Sequence, residues 1–293
     1  MKKLLFIINP MAGRQQAQTD LYKMVKIFAD HDYEVTVYPT RARLDCTRKV
    51  LEDAGRFDLV VCCGGDGTLN EMVSGMMQRQ GRRPMGYIPL GSTNDLAVSL
   101  RLPTRVEEAA LRAVTGNEFH MDVGTLNDRY FNYIAAFGAF TETSYATPQE
   151  IKNALGHLAY ILEGVKSLGK ILPIHVKITA DAEQFEEDYL FGAVTNTISL
   201  GGVLKLDPEK VLLDDGMYEL LLVKNPTNAL EAQAMLTAIM TQNFDGPLVK
   251  MFHASDITFE SSHEISWTID GEYGGTFSHT HILNNKNAVT LIV

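Results

Sequence analysis

The chain is short of several things, and each shortage removes a class of function. Three cysteines in 293 residues, Cys46 and the adjacent pair Cys62 and Cys63, give no pairing pattern of a secreted disulfide scaffold. Neighbouring cysteines in a strand point to opposite faces, and a reducing cytoplasm fits this usage best. Basic charge is also scarce, with 26 Lys and Arg against 36 Asp and Glu and a formal net charge of −10, which argues against nucleic acid as the main partner. Two local basic clusters stand out against that balance, Arg41 with Arg43, and Arg79, Arg82 and Arg83. They read either as solvated loop charges or as patches that offset the acidity on one face. No stretch has the roughly twenty unbroken apolar residues of a spanning helix. The apolar run after Met1-Lys2-Lys3 is too short for a secretory signal and lacks a small-residue cleavage site, so residues 4–8 are expected to form a first β-strand.

Familiar catalytic patterns are missing as well. There is no Gly-x-Ser-x-Gly elbow, no paired-cysteine zinc spacing and no glycine-rich stretch ending in Gly-Lys-Ser or Gly-Lys-Thr. The third glycine of a dinucleotide fingerprint is replaced by Asn70. Eight histidines show no metal spacing, and His279 and His281, two apart, are expected at the surface.

What is present begins with alternation. In the first 120 residues, expected strands at 4–8, 33–38, 57–63 and 85–90 alternate with helix-period segments at 20–29, 69–80 and 106–115. The runs 57–63 and 85–90 have the look of fully buried parallel strands. Such alternation predicts a parallel sheet with covering helices and a ligand beyond the carboxyl ends of the strands. After Asp122 the pattern turns to strands, expected at 129–140, 174–180, 189–197, 218–223, 257–260 and 264–270. Only two helices interrupt them, over residues 148–168 (with Ile151, Leu155, Leu158, Leu162 and Val165 on one stripe) and 229–240. The expected domains are therefore an α/β domain over 1–122 and a β-rich domain over 123–293. The last short strand, 288–293, is free to belong to either.

The strongest motif is Gly64-Gly65-Asp66-Gly67-Thr68, between the buried strand 57–63 and the helix expected from about Leu69. Glycines permit positive φ and close backbone approach, and a helix N-terminus aims N–H groups at an anion. A carboxylate beside bound phosphates repels them unless a divalent cation bridges the two, so Asp66 in this loop implies a nucleotide phosphate together with Mg²⁺. Asn9-Pro10-Met11-Ala12-Gly13-Arg14, after the first strand, reads as a plain turn or as a loop whose N–H groups and guanidinium grip phosphate. Pro89-Leu90-Gly91-Ser92-Thr93-Asn94-Asp95, after the fourth, reads as a helix cap or as a nucleotide contact. Three such loops at one sheet edge carry more weight together than singly. In the second half, Leu212-Leu213-Asp214-Asp215-Gly216-Met217 is either a hairpin turn or an acidic site. Asp270 and Glu272 lie two apart on an expected extended segment, hence on one face. There one carboxylate can accept a proton from a substrate hydroxyl and the other can hold a metal or orient it.

With these motifs the chain resembles the diacylglycerol kinase catalytic-domain superfamily from Asn9 to about Gly275. Gly-Ser-Thr-Asn-Asp at Gly91 to Asp95 and Asp-Gly-Glu-Tyr-Gly-Gly at Asp270 to Gly275 are most similar to the soluble bacterial diacylglycerol kinases. The resemblance implies an N-terminal α/β domain similar to those of NAD kinase and phosphofructokinase, a C-terminal β-sandwich-like domain, and an active site in the cleft between them. It implies nucleotide-binding positions at Asn9, Pro10, Met11, Ala12, Gly13, Thr40, Gly65, Asp66, Gly67, Thr68, Leu69, Asn70, Glu71 and Ser92. It places Asp66 and Asp122 in a magnesium network, Glu272 as proton acceptor with Asp270 beside it, and a second, structural magnesium at Asp215 with the carbonyls of Leu212 and Met217. A basic residue expected on the helix over 148–168 falls on Glu163, with Lys166 and Lys170 nearby.

The expected function is that of a magnesium- and ATP-dependent lipid kinase, cytoplasmic and transiently at the membrane surface, that phosphorylates diacylglycerol to phosphatidic acid. Oligomeric state is open, a homodimer included. The competing readings are a kinase for another lipid alcohol, an NAD kinase, and a nucleotide- or lipid-binding regulator without catalysis. The loops at Asn9 to Gly13 and Gly91 to Asp95 speak against NAD kinase, and the intact acids at Asp66, Asp215, Asp270 and Glu272 against the regulator.

Overall fold

The computed structural model describes residues 1–139, 172–200, 204–207 and 211–293. The helix expected over 148–168, with Glu163, Lys166 and Lys170, lies outside them. The chain divides into two compact units, Met1–Val123 with Asn285–Val293, and Gly124–Asn284.

The first unit is built on strands β1 (Lys2–Ile8), β2 (Tyr33–Pro39), β3 (Leu59–Gly64) and β4 (Met85–Pro89). They lie parallel in the order β2-β1-β3-β4, with Leu4 paired to both Val35 and Leu59 and Val61 to Gly86. Between them run a short α1 (Gln16–Thr19), α2 (Leu21–Asp30), α3 (Asp45–Asp53) and α4 (Asp66–Met77), followed by α5 (Asp95–Ser99) and α6 (Val106–Thr115). Side-chain alternation sends Leu4, Phe6, Ile8, Val61 and Cys63 into one core with Met24 and Phe28 of α2 and Ala109, Ala110 and Ala113 of α6. Phe6 and Phe28 meet edge to face with centroids 5.2 Å apart. α3 and α4 pack so closely that a Cβ on Gly75 would lie 2.8 Å from Val50. Strand β5 (Glu118–Leu126) leaves the unit, and the end of β15 (Glu272–Ile292) returns to it, Leu291 pairing in parallel with Met85. The expected short strand 288–293 is thus the end of a much longer one.

The second unit holds β6 (Arg129–Phe131), β7 (Ile134–Gly138), β8 (Ile174–Ala180), β9 (Glu183–Thr195), β10 (Ser199–Leu200), β11 (Leu204–Lys205), β12 (Tyr218–Lys224), α7 (Ala229–Thr241), β13 (Val249–Ala254) and β14 (Asp256–Ile269). The long strands β9 and β14 each pair with β8 along one half and β7 along the other, which closes an antiparallel, sandwich-like ring. Trp267 fills its centre, 5.0 Å from Phe137 and 4.9 Å from Phe259 between centroids. The strand expected over 129–140 is broken at Asn132 and Tyr133, because their N–H groups turn to the carboxylate of Asp270. The two strands expected at 257–260 and 264–270 are one.

Candidate functional site: a glycine-loop edge with a half-satisfied carboxylate

The order β2-β1-β3-β4 reverses direction between β1 and β3, and a ligand crevice opens at such a switch point beyond the carboxyl ends of the strands. Three loops meet at this edge. The Asn9 N–H donates to the Cys63 carbonyl (2.9 Å), and its side-chain amide donates to the Thr68 hydroxyl (3.3 Å), tying the first loop to the second. Gly13 has φ +61°, and a Cβ there would lie 3.4 Å from that of Leu90. The second and third loops touch backbone to backbone: a Cβ on Gly91 would stand 2.8 Å from the Gly65 Cα. Gly64 is needed for a neighbouring reason, since its Cβ would lie 2.4 Å from the Thr68 hydroxyl.

Helix α4 begins at Asp66, earlier than the expected Leu69, so Asp66, Gly67 and Thr68 form its first turn. Gly65 is its N-cap and no side chain caps it. A twelve-residue helix thereby presents its positive end at the loop edge. Asn94 stands at the N-cap position of α5, but its side chain makes no capping hydrogen bond to that helix. It sits at φ +51°, its side-chain oxygen accepting from the Gly91 N–H (2.8 Å) and its amide donating to the Gly91 carbonyl (3.0 Å), which stitches the third loop shut.

Asp66 is the centre of this edge. One carboxylate oxygen accepts from the Thr93 hydroxyl (3.1 Å) and the Asn94 N–H (3.0 Å), and the Asp95 N–H also donates to the group. The other oxygen, Oδ1, is buried with no hydrogen-bond partner. Burial first, then the nearby Asp95 carboxylate, pushes the Asp66 carboxyl up to about 6 despite those donors. An anionic oxygen without a donor, beside a second buried acid, is a hard-oxygen position that a divalent cation would satisfy. Magnesium fits these residues. Among the described residues no three acids, imidazoles or thiols converge, so a cation here would complete its shell with phosphate oxygens and water.

The other expected positions divide. Thr40 follows β2 at the same edge, its N–H donating to the Ile8 carbonyl (2.9 Å), and Met11 and Ser92 are exposed there. Leu69 is fully buried, so only its backbone can face a ligand. Glu71 is committed elsewhere: its two oxygens accept from the Leu44 N–H (2.8 Å) and Cys46 N–H (3.1 Å) at the start of α3. Asp122 is fully buried and accepts from the Asn287 N–H (2.7 Å).

In the second unit, the expectation that Asp270 and Glu272 share the face of an extended segment does not hold. Asp270 and Gly271 have φ +48° and +80° and form a two-residue turn between Ile269 and Glu272, the Asp-Gly hairpin chemistry that favours positive φ at both positions. The Asp270 carboxylate is buried under the N–H groups of Asn132 (2.8 Å), Tyr133 (3.0 Å) and Ile134 (3.2 Å), whereas Glu272 is exposed. Asp270 anchors the β6–β7 turn, and Glu272 opens β15 beside it. Asp215 accepts from the Met217 N–H (2.8 Å) in a turn that leads into β12, with Gly216 at φ +86°. Four residues after Asp215, Glu219 is 2% exposed and its Oε2 has no hydrogen-bond partner. Burial, with a further contribution from Asp215, pushes its carboxyl up to about 8. The Met217 carbonyl in the Asp215 turn accepts from the Asn284 side-chain amide (3.2 Å). Glu219 is not among the residues expected from the sequence, and Asp95 is there only as the end of the third loop. The available signal for Glu219 was a lone acid in the otherwise apolar run that starts β12.

Comparison with known proteins agrees with this geometry. Residues 3–126 match the diacylglycerol kinase catalytic domain family, and residues 140–292 match the YegS C-terminal NAD kinase beta sandwich-like domain family. The chain is 33% identical over 296 residues to the diacylglycerol kinase of Bacillus subtilis (strain 168), covering 98% of this chain and 97% of that protein. It is 31% identical to the diacylglycerol kinase of Staphylococcus carnosus (strain TM300), covering 98% and 94%. A crystal structure from Bacillus anthracis str. Sterne, provisionally described as a diacylglycerol kinase, superposes with a TM-score of 0.84 at 28% identity, covering 99% of this chain and 95% of that one.

Proposed function

The chain belongs to the diacylglycerol kinase family, and on that premise we propose that it transfers the γ-phosphoryl group of ATP to the hydroxyl of diacylglycerol, with Mg²⁺, giving phosphatidic acid. The observation that carries the reading is the Asp66 carboxylate, one oxygen held by the Thr93 hydroxyl and the Asn94 N–H and the other buried without a partner, in a glycine loop at a helix N-terminus.

In this reading the N–H groups around Gly65, Asp66, Gly67 and Thr68 receive the phosphates, and the loop with Asn9, Pro10, Met11, Ala12 and Gly13, together with Thr40, Asn70 and Ser92, orients the nucleotide. Glu71 contributes through the α3 start that it caps, and Leu69 through its backbone. When bound, magnesium at Asp66, with Asp122 in its network, supplies the charge neutralisation that phosphoryl transfer needs. Glu272 takes the proton of the lipid hydroxyl, whose oxygen bonds to the γ-phosphorus as the bridging bond to ADP breaks. Asp270 holds the turn that presents Glu272. Most of the rate then comes from positioning and preorganised charge. A second cation at Asp215 and the carbonyls of Leu212 and Met217 would have a structural role.

The test is transfer from labelled ATP to dispersed diacylglycerol, with NAD and other lipid alcohols as parallel acceptors. Asp66→Ala and Glu272→Gln should each lower kcat by about 10²-fold or more. Wild-type ATP binding should weaken sharply on chelation of Mg²⁺, and binding by Asp66→Ala should be insensitive to it. Full activity in either variant would remove that residue from the mechanism. Tight ATP binding without turnover on any acceptor would favour a regulator instead.

A further inference from the structure

Two basic clusters stand out in an acidic sequence, and the structure treats them differently. Arg79, Arg82 and Arg83 follow α4 at the amino edge of the sheet, and each donates to a backbone carbonyl: Arg79 to Leu51 (2.6 Å), Arg82 to Ala288 (2.5 Å) and Arg83 to Gly55 (3.1 Å). These guanidiniums hold the unit together. Arg41 and Arg43 sit at the opposite edge, in the loop between β2 and α3, beside the three nucleotide loops. The Arg41 side chain is 75% exposed and Arg43 is exposed. At the end of the same loop Leu44 is 60% exposed and sits at φ +63°, ψ +6°, a left-handed conformation that a branched side chain adopts only at a cost.

Two carboxylates, one distant and one local, hold that conformation in place. Glu71 accepts from the N–H groups of Leu44 and Cys46, and the buried carboxylate of Asp45 accepts from the Arg41 N–H (2.9 Å). The loop is therefore a fixed projection with an apolar tip flanked by guanidiniums. On a chain with net charge −10, most of the surface is repelled by an anionic bilayer, so approach favours the face where basic charge is concentrated. A leucine held out at the edge where phosphoryl transfer is proposed matches the boundary between headgroups and acyl chains.

We propose that residues 41–44 are the surface through which this enzyme docks on an anionic phospholipid bilayer, Leu44 entering the interface and Arg41 and Arg43 pairing with lipid phosphates. The proposal rests on the lipid kinase reading above, and its test is separable from that reading. Full-length protein is sedimented with vesicles of phosphatidylcholine alone and of phosphatidylcholine mixed with phosphatidylglycerol. Turnover is measured in parallel on a short-chain, water-soluble diacylglycerol that requires no bilayer. Leu44→Asn keeps a residue tolerant of positive φ and should leave the melting temperature and soluble turnover unchanged while weakening binding to the anionic vesicles about tenfold. Arg41→Gln and Arg43→Gln should each weaken it about fivefold, with little change on phosphatidylcholine alone. Wild-type binding in all three variants, or a wild type that ignores both vesicles, would overturn the proposal. So would unchanged vesicle binding with weakened self-association in Leu44→Asn, which would assign the loop to contact between copies. Absence of soluble turnover in the wild type would strike the kinase reading and leave the vesicle result to stand by itself.

Discussion

Asp45 starts α3 almost buried, and burial by itself would raise its carboxyl. The Arg48 guanidinium (2.5 Å), the Arg41 N–H and the Tyr38 hydroxyl (3.0 Å) outweigh that, bringing the group from its ordinary 3.8 down to about 2. A shift of this size corresponds to about 2 kcal/mol for a fully enclosed group, and solvent at the arginine rim reduces it to about 1 kcal/mol. Because the folded value is depressed, the contribution is present above pH 4 or so and is lost as pH falls through about 2. Asp45→Asn should therefore cost about 1 kcal/mol in chemical denaturation at pH 7, and the deficit should shrink steadily below pH 4. A penalty that stays constant down to pH 3 would mean that the carboxylate contributes shape and hydrogen bonding but no charge.

At the scale of elements, the functional edge depends on two glycine loops that approach closer than any side chain allows. Gly91→Ala would place a methyl group 2.6 Å from the Asn94 side-chain oxygen and 2.8 Å from the Gly65 Cα. The loops would have to separate, moving the Asp66 donors on Thr93 and Asn94. The expected result is a loss of about 1–3 kcal/mol in stability, the usual cost of overpacking, with ATP binding weakened about tenfold or more. Unaltered ATP affinity by calorimetry would show that the approach is incidental to the site. These loops were legible in the sequence because glycine strings at the ends of continuous apolar strands have few other uses. Helix α3 was not legible. Its buried side is made of Cys46, Thr47 and Val50 among charged residues, its N-cap is a left-handed Leu44 without a capping side chain, and Glu71, far along the chain, supplies the missing acceptors. The turn at Asp270 and Gly271 was misread for a related reason. An Asp-Gly pair announces a hairpin, but the acids on either side of the glycine suggested a shared strand face, and only the three N–H groups from residues 132–134 reveal what Asp270 does.

At the scale of the whole molecule, the first unit is assembled from both ends of the chain. Leu291 is fully buried and pairs with Met85 at the edge of the parallel sheet. Asn117 and Val293 exchange N–H to carbonyl bonds at 2.9 Å each, and Arg82 donates to the Ala288 carbonyl. The sequence left residues 288–293 unassigned because a short apolar strand carries no mark of its partner, and only pairing across some two hundred residues decides it. Removing residues 285–293 would expose the edge of β4, leave the Arg82 guanidinium without its acceptor, and open the core beside Leu291. An unpaired buried edge with an apolar cavity costs several kcal/mol, comparable to the whole stability of a domain. The truncated chain should thus lose hydrogen-exchange protection in β1, β3 and β4 and lose ATP binding, while amides of β9 and β14 in the second unit stay protected. Retained protection in β4 would mean that the parallel sheet is complete without the returning strand, and that the first unit folds from residues 1–123 alone.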